Sequence, residues 1–224
     1  MKKAIFIFLF IILMSFGITI KKPDRKITII NTKKIKSDTV EITNQDIVGH
    51  IKIPNTKIDY SLVKTTDNKY YLNHNIKKET DPLGAVFIDY RNELSDKKIL
   101  IYGHNSKTQI APLKELENYL DYTYFKNNDL IYLTLEKNKY TYKIFSVILI
   151  DKNNYTYTKL NYTPSEYLNH LNWLKDTSIH KSNIELEPDS HIIIIQTCNY
   201  YPKESFLLIS AKRSLIWKRN LYLK

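Results

Sequence analysis

The chain of 224 residues has only four glycines and a single cysteine. So few glycines leave no room for a phosphate-cradling loop or a dinucleotide fingerprint, since both need several glycines in close order for the backbone to approach a phosphate. Neither pattern is found. One thiol, Cys198, rules out an intramolecular disulfide. With no second cysteine and no histidine pair at ligand spacing, a zinc site has too few ligands, and no metal or cofactor is expected. Internal repeats, heptads and low-complexity tracts are also missing.

What is present describes a globular protein. Hydrophobic residues make up 43% and charged residues 25% of the chain, unlike a disordered composition. The length suits one well-buried domain with an appendage. Eighteen tyrosines, with many Ile, Thr and Val, favour strands, because branched and aromatic side chains fit a half-buried pleated surface. The net charge is +11, but the lysines are scattered rather than gathered in a stripe, so no nucleic-acid partner is expected. A dispersed positive surface suits an anionic membrane or envelope.

Residues 4–20, AIFIFLFIILMSFGITI, carry no charge and lie between Lys2-Lys3 and Lys21-Lys22. They read as a membrane segment or a signal peptide. No small-x-small cleavage site or polar c-region follows, which favours a retained transmembrane helix over residues 1–22. Basic residues on both flanks leave its orientation open. Residues 23–46 are polar and basic, the composition of a stalk, and the folded domain is expected over 47–224.

Within that domain HIKIP, YSLVKT, GAVFIDY and KILIYGH are strand-length apolar runs bounded by turn residues. Leu113, Leu116 and Leu120 predict a short amphipathic helix over 111–120. DLIYLTLEK and KYTYKIFSVILI alternate and predict a hairpin turning at Lys137-Asn138. Thr163-Pro164-Ser165-Glu166 is a helix start, with a cap, a proline at the first position and a reciprocating glutamate. A helix of about 12 residues follows, with Leu168, Leu171 and Leu174 on one face. HIIIIQTC, apolar almost throughout, reads as a strand buried on both faces, and SFLLISAKR as the last strand. The fold class is mainly β.

Cys198 therefore ends a buried strand, held from behind and open in front. A thiol is mostly protonated at neutral pH, so nucleophilic use of it needs a base or a nearby cation. The alternative is a small buried hydrophobe. Of six histidines, His170 and His180 lie on or just past the capped helix, where a solvated polar role is expected. His50 and His191 open strands, and His74 sits in a polar loop. His104 alone leaves a strongly apolar strand, KILIYG, and enters a loop of small polar residues. Spacing alone leaves a Cys198–His104 pair level with a structural cysteine, since only the fold can bring the two together.

Leu100-Ile101-Tyr102-Gly103-His104-Asn105 resembles the YGHN motif of the sortases, and Gln196-Thr197-Cys198 resembles the end of their TLxTC motif. FIDYRN at 87–92, Tyr-Phe-Lys-Asn-Asn before the hairpin and the long helix before the final strands resemble class B. The likeness spans about residues 47–215. It implies an eight-stranded β-barrel with appended short helices, preceded by a transmembrane helix. It also implies a single-pass protein of a Gram-positive cell membrane, with its catalytic domain outside. The implied enzyme is a cysteine transpeptidase acting on surface proteins that bear an NPxTx-like sorting signal. Cys198 would form a thioester after the Thr of that signal, and His104 would pass protons to and from the leaving and incoming amines. The acceptor would be a peptidoglycan peptide amine. Gln196 and Ile195 replace the family's small polar residue and Leu. The arginine that sortases carry on the last strand, eight to ten residues after the cysteine, is replaced by Phe206, Leu207 and Leu208. Lys203 and Arg213 are weak substitutes by position, and Arg213 is displaced by ~23 Å of strand on the opposite face. A rival expectation is thus an impaired sortase-like barrel that binds sorting signals or wall peptide without turnover. An L,D-transpeptidase is disfavoured, because Gln196-Thr197-Cys198-Asn199 does not resemble its SHGC-like run.

Overall fold

Eight strands close a barrel in the computed structural model, which describes residues 44–201 and 204–214. The expected anchor, nearly all of the stalk and Lys203 lie outside the described residues. The strands are β1 (Ile47–Lys52), β2 (Asp59–Val63), β3 (Val86–Ile88), β4 (Lys98–Tyr102), β5 (Leu130–Leu135), β6 (Asn138–Ile150), β7 (Ile192–Asn199) and β8 (Ser205–Ser214). Their order around the barrel is β1-β2-β3-β4-β7-β8-β6-β5. The β1–β5 pairing closes the ring and leaves no open edge to recruit another chain. Most neighbours are antiparallel, but β2 with β3 and β4 with β7 run parallel. A parallel pair cannot be joined by a tight turn, so everything between β4 and β7 is crossover.

The odd residues of β7, Ile193 and Ile195, point into the barrel with Ile99, Ile101, Leu207 and Ile209. Its even residues, Ile192 and Ile194, point outward and are covered by Tyr167, Leu171 and Leu174 of a helix outside the barrel. Both faces are dry, which explains the unbroken apolar run. Each fully buried Ile contributes about 1.5–3 kcal/mol relative to exposure.

That outer helix is α2 (Pro164–Asp176), and its start is the expected capping box. Thr163 Oγ1 accepts from Glu166 N at 3.3 Å, and the Glu166 carboxylate accepts from Thr163 N at 2.8 Å. The Thr163 amide, with Lys159, holds the Glu166 carboxyl down to about 2. Leu168 is only half-buried. Tyr167 and His170 take the inward face with Leu171 and Leu174. The helix expected over 111–120 is a 3-10 helix, Lys114–Leu120. A second short helix, α1 (Tyr122–Asn127), was not anticipated; the Asp121 side chain caps it at Tyr124 N, 2.7 Å. The hairpin turns at Glu136-Lys137, one residue earlier than expected. Leu135 pairs with Asn138 and stays inside, and Glu136 takes the left-handed conformation, φ 52°.

His170 and His180 correct the expectation of solvated roles, because both are buried. His180 Nε2 meets Tyr119 O at 2.9 Å, with its ring 4.9 Å from Phe125. His170 Nε2 lies 3.0 Å from Nζ of Lys98, itself only 3% exposed. Burial, reinforced by the charges of Lys98 and Lys159, pushes the His170 pKa down to about 3. A depressed pKa stabilises the fold above the unfolded value near 6.5, and that stability drains away as pH falls toward 3. From pH 6.5 to 4 the loss for this one group is roughly 3 kcal/mol, from 1.36 kcal/mol per unit. Chemical denaturation across that range should show this slope, reduced in His170→Phe. An identical slope in the variant would exclude His170 as its source.

Candidate active site

The parallel register of β4 and β7 sets Tyr102 beside Gln196. Parallel strands leave the sheet at the same end, so two residues further on His104 and Cys198 emerge together. Alternation places Lys98, Leu100, Tyr102, Gln196, Cys198 and Phe206 on the outer face. There a cleft of about 420 Å³ contains His104 and Cys198, with Leu72, Arg91, Tyr155 and Tyr157 among its walls. The expected pair is thus brought to one cleft. A larger cleft of about 740 Å³ around Lys98 and Tyr162 contains neither residue. The chemistry-bearing side chains belong to the smaller one.

Hydrogen bonds stitch the two strand ends. Thr197 Oγ1 donates to Gly103 O at 2.8 Å, and Asn105 Nδ2 donates to Cys198 O at 2.8 Å. Asn105, only 3% exposed, also donates to Glu117 Oε1 at 2.6 Å, and Tyr200 OH donates to Asn105 O at 3.1 Å. Asn105 lay within the YGHN motif, but its contact with the cysteine carbonyl appears only in the fold. Cys198 is half-buried.

His104 Nε2 lies 2.7 Å from the carbonyl oxygen of Leu72. A carbonyl only accepts, so Nε2 carries a proton, and a neutral ring has its free lone pair on Nδ1. Leu72 ends the 3-10 turn Tyr70–Leu72, which is braced by Gly84. Gly84 has φ 58°, and a Cβ there would fall 2.2 Å from Tyr71 O and 2.9 Å from both C and O of Leu72. No side chain fits between the two segments.

Phe206 stands directly opposite Cys198 in the β7–β8 register, where the resemblance placed an arginine. Arg213 pairs with Tyr142 at the far end of β8, its guanidinium 5.2 Å from the Tyr140 ring, and lines a separate pocket with His191. It is not part of the cleft, which removes it as a substitute. Sequence reasoning missed Arg91, the one arginine among the described residues that lines the cleft. Its Nε and Nη2 donate to Asp89 at 2.9 and 2.7 Å. Tyr102 OH donates to the same carboxylate at 2.9 Å. Asp89 is fully buried. Burial alone would raise its pKa, but the Arg91 and Tyr102 bonds outweigh it and hold the carboxyl below its usual range. Three of the five guanidinium N–H donors of Arg91 are not used by Asp89. The signal for Arg91 was its place in FIDYRN, two residues after the aspartate that fixes it.

Gln196, a departure from the family pattern, accepts from Tyr157 OH at 2.5 Å. The departure thus pins one cleft wall to β7.

Known proteins resemble this chain in sequence and in fold. The sortase domain family model matches residues 51–216. Sortase B of Listeria monocytogenes is 32% identical over 158 residues, 70% of this chain and 64% of the relative. Sortase B of Staphylococcus aureus is 28% identical over 164 residues, 72% of this chain and 66% of the relative. The chain therefore matches just under two thirds of the length of each. A Clostridium perfringens sortase B structure superposes with TM-score 0.73 at 28% identity, covering 76% of this chain and 82% of that one. A Staphylococcus aureus sortase B–substrate complex gives 0.70 at 26% identity, covering 76% and 81%. With a barrel that carries Cys198 and His104 at one end of its parallel pair, and with these relatives, the chain belongs to the sortase family, on its class B branch.

Proposed function

We propose that the protein is a cysteine transpeptidase that cleaves an NPxTx-like sorting signal and joins the released protein to a peptidoglycan peptide amine. The observation that supports this most is the shared cleft of Cys198 and His104 in a sortase barrel. The Cys198 thiolate adds to the carbonyl after Thr, and collapse of the adduct breaks the peptide bond while His104 protonates the departing amine. A thioester is left on the enzyme. The acceptor amine then adds to it, His104 takes the proton, and the thiolate leaves. Residues 1–22 suit a single membrane anchor, with 23–46 as stalk and 47–224 as an extracellular catalytic domain. The test is mass spectrometry of the chain after incubation with NPQTN-type peptides. A covalent adduct at Cys198 is expected; no adduct with any sorting peptide would end the enzyme reading.

A second reading, a binding barrel with little turnover, has one observation in its favour, Phe206 opposite Cys198. Phe206→Arg separates the two. One oxyanion donor is worth about 100- to 1000-fold in rate, so the variant should raise peptide cleavage at least ~10-fold if no other cation serves. Unchanged rates in an active enzyme would mean that another group, such as Arg91, already supplies the charge.

A further inference from the structure

Lys98 opens β4, and its side chain lies on the same outer face as Tyr102, roughly 13 Å away along the strand. It is 3% exposed, and four groups lie within hydrogen-bond distance of its ammonium, which has three N–H donors. Nζ donates to Tyr157 O at 2.6 Å, Lys159 O at 2.7 Å and Tyr162 OH at 3.2 Å, with His170 Nε2 at 3.0 Å. Three of these belong to residues 157–162, which join β6 to α2. That segment also carries Tyr157 and Thr158 of the cleft wall, with Tyr155 just before it. Apart from Lys98, the side-chain bond among the described residues that ties this wall to the catalytic strands is Tyr157 OH to Gln196.

We propose that Lys98 is a positioning residue for peptide binding: its buried ammonium fastens the segment bearing Tyr155, Tyr157 and Thr158 to β4 and so fixes the wall facing Cys198. The inference rests on the cleft being the peptide site. A residue used only to stabilise the barrel has no need of charge here; an apolar side chain of the same length would fill the space without desolvating an ammonium. Among the described residues no carboxylate lies within ion-pair distance of Lys98. The groups facing it are the His170 ring from α2, the Tyr162 hydroxyl and the carbonyls of the joining segment, and the charge of Arg91 beyond the end of β3. Lys159 is engaged by Glu166 at 3.1 Å and by the Tyr162 ring. Burial, then the Arg91 charge, pushes the Lys98 pKa down to about 7. The tie therefore loses a donor and its charge just above neutrality.

The proposal is tested on the Cys198→Ala chain, which binds without reacting. Affinity for an NPQTN peptide is measured at pH 6 and pH 9, with and without Lys98→Met. One charged hydrogen bond lost should weaken binding about 5- to 10-fold from pH 6 to 9. Lys98→Met should bind weakly at both, and Lys98→Arg, which stays charged, should lose the pH dependence. Equal affinities with and without Lys98→Met, or a pH dependence unchanged in both variants, would overturn the proposal. Hydrogen exchange of residues 151–163 without peptide gives an independent reading. Lys98→Met should speed it at least ~10-fold while β7 stays protected. If that acceleration is seen but no variant binds peptide, the peptide reading of the cleft fails and the tie stands. If exchange in 151–163 is unchanged, the tie itself fails. Should Lys98→Met not fold, the pH dependence of exchange in the Cys198→Ala chain decides: flat exchange from pH 6 to 9, after correction for intrinsic rates, overturns it.

Discussion

Cys198→Ala is expected to abolish adduct formation and peptide cleavage, a loss on the order of 10⁴-fold or more, because alanine has no atom to form the acyl bond. The fold should survive. Cys198 is half-buried, makes no hydrogen bond through its sulfur among the described residues, and pairs with β8 through its backbone. The Asn105 bond is to its carbonyl, which alanine keeps. An unchanged melting temperature with lost turnover is therefore the diagnostic result. Residual cleavage at the wild-type rate would place the chemistry elsewhere, and a collapse in stability would make the cysteine structural. The second outcome is disfavoured by the small apolar volume removed.

Gly84→Ala should have the second largest effect, although the residue touches neither functional side chain. Its φ of 58° costs a side-chain-bearing residue about 1–2 kcal/mol. The added Cβ would also meet Tyr71 O at 2.2 Å, so the 71–72 backbone must move. The expected destabilisation is about 2–4 kcal/mol, or roughly 5–15 °C in melting temperature for a domain of this size. The segment displaced is the one whose Leu72 carbonyl holds His104 at 2.7 Å. A misplacement near 1 Å costs about 100-fold in rate, so turnover should fall well beyond what lost stability explains. Denaturation and peptide cleavage measured below the new melting temperature separate the two losses. Full activity there would mean that His104 is oriented by something other than Leu72.

The strands were legible where apolar runs met turn residues, and the helix start at Thr163 was legible because capping is local chemistry. What escaped depended on contacts between distant residues. His170 read as a polar residue on an amphipathic helix, yet its partner Lys98 lies 72 positions away. Nothing local to the run KILIYGH marks its lysine, Lys98, as buried. The Cys198–His104 pairing was written in two motifs, whereas Arg91 could not be assigned to the cleft until the turn after β3 had a place. The closure of β1 on β5 has no local signal, since Ile51 and Leu133 are ordinary strand residues until they are set side by side.

The parallel pairing of β4 with β7 has a consequence for how the protein comes into being. Thr197 and Gly103, joined across that pair, are 94 residues apart in the chain. Closing so long a loop is entropically costly and slows folding, so the pocket cannot exist in a half-made chain. A polypeptide cut or halted anywhere in the crossover holds an imidazole without its thiol, or the reverse. Under the proposed function, reactivity toward peptide would therefore report a finished molecule.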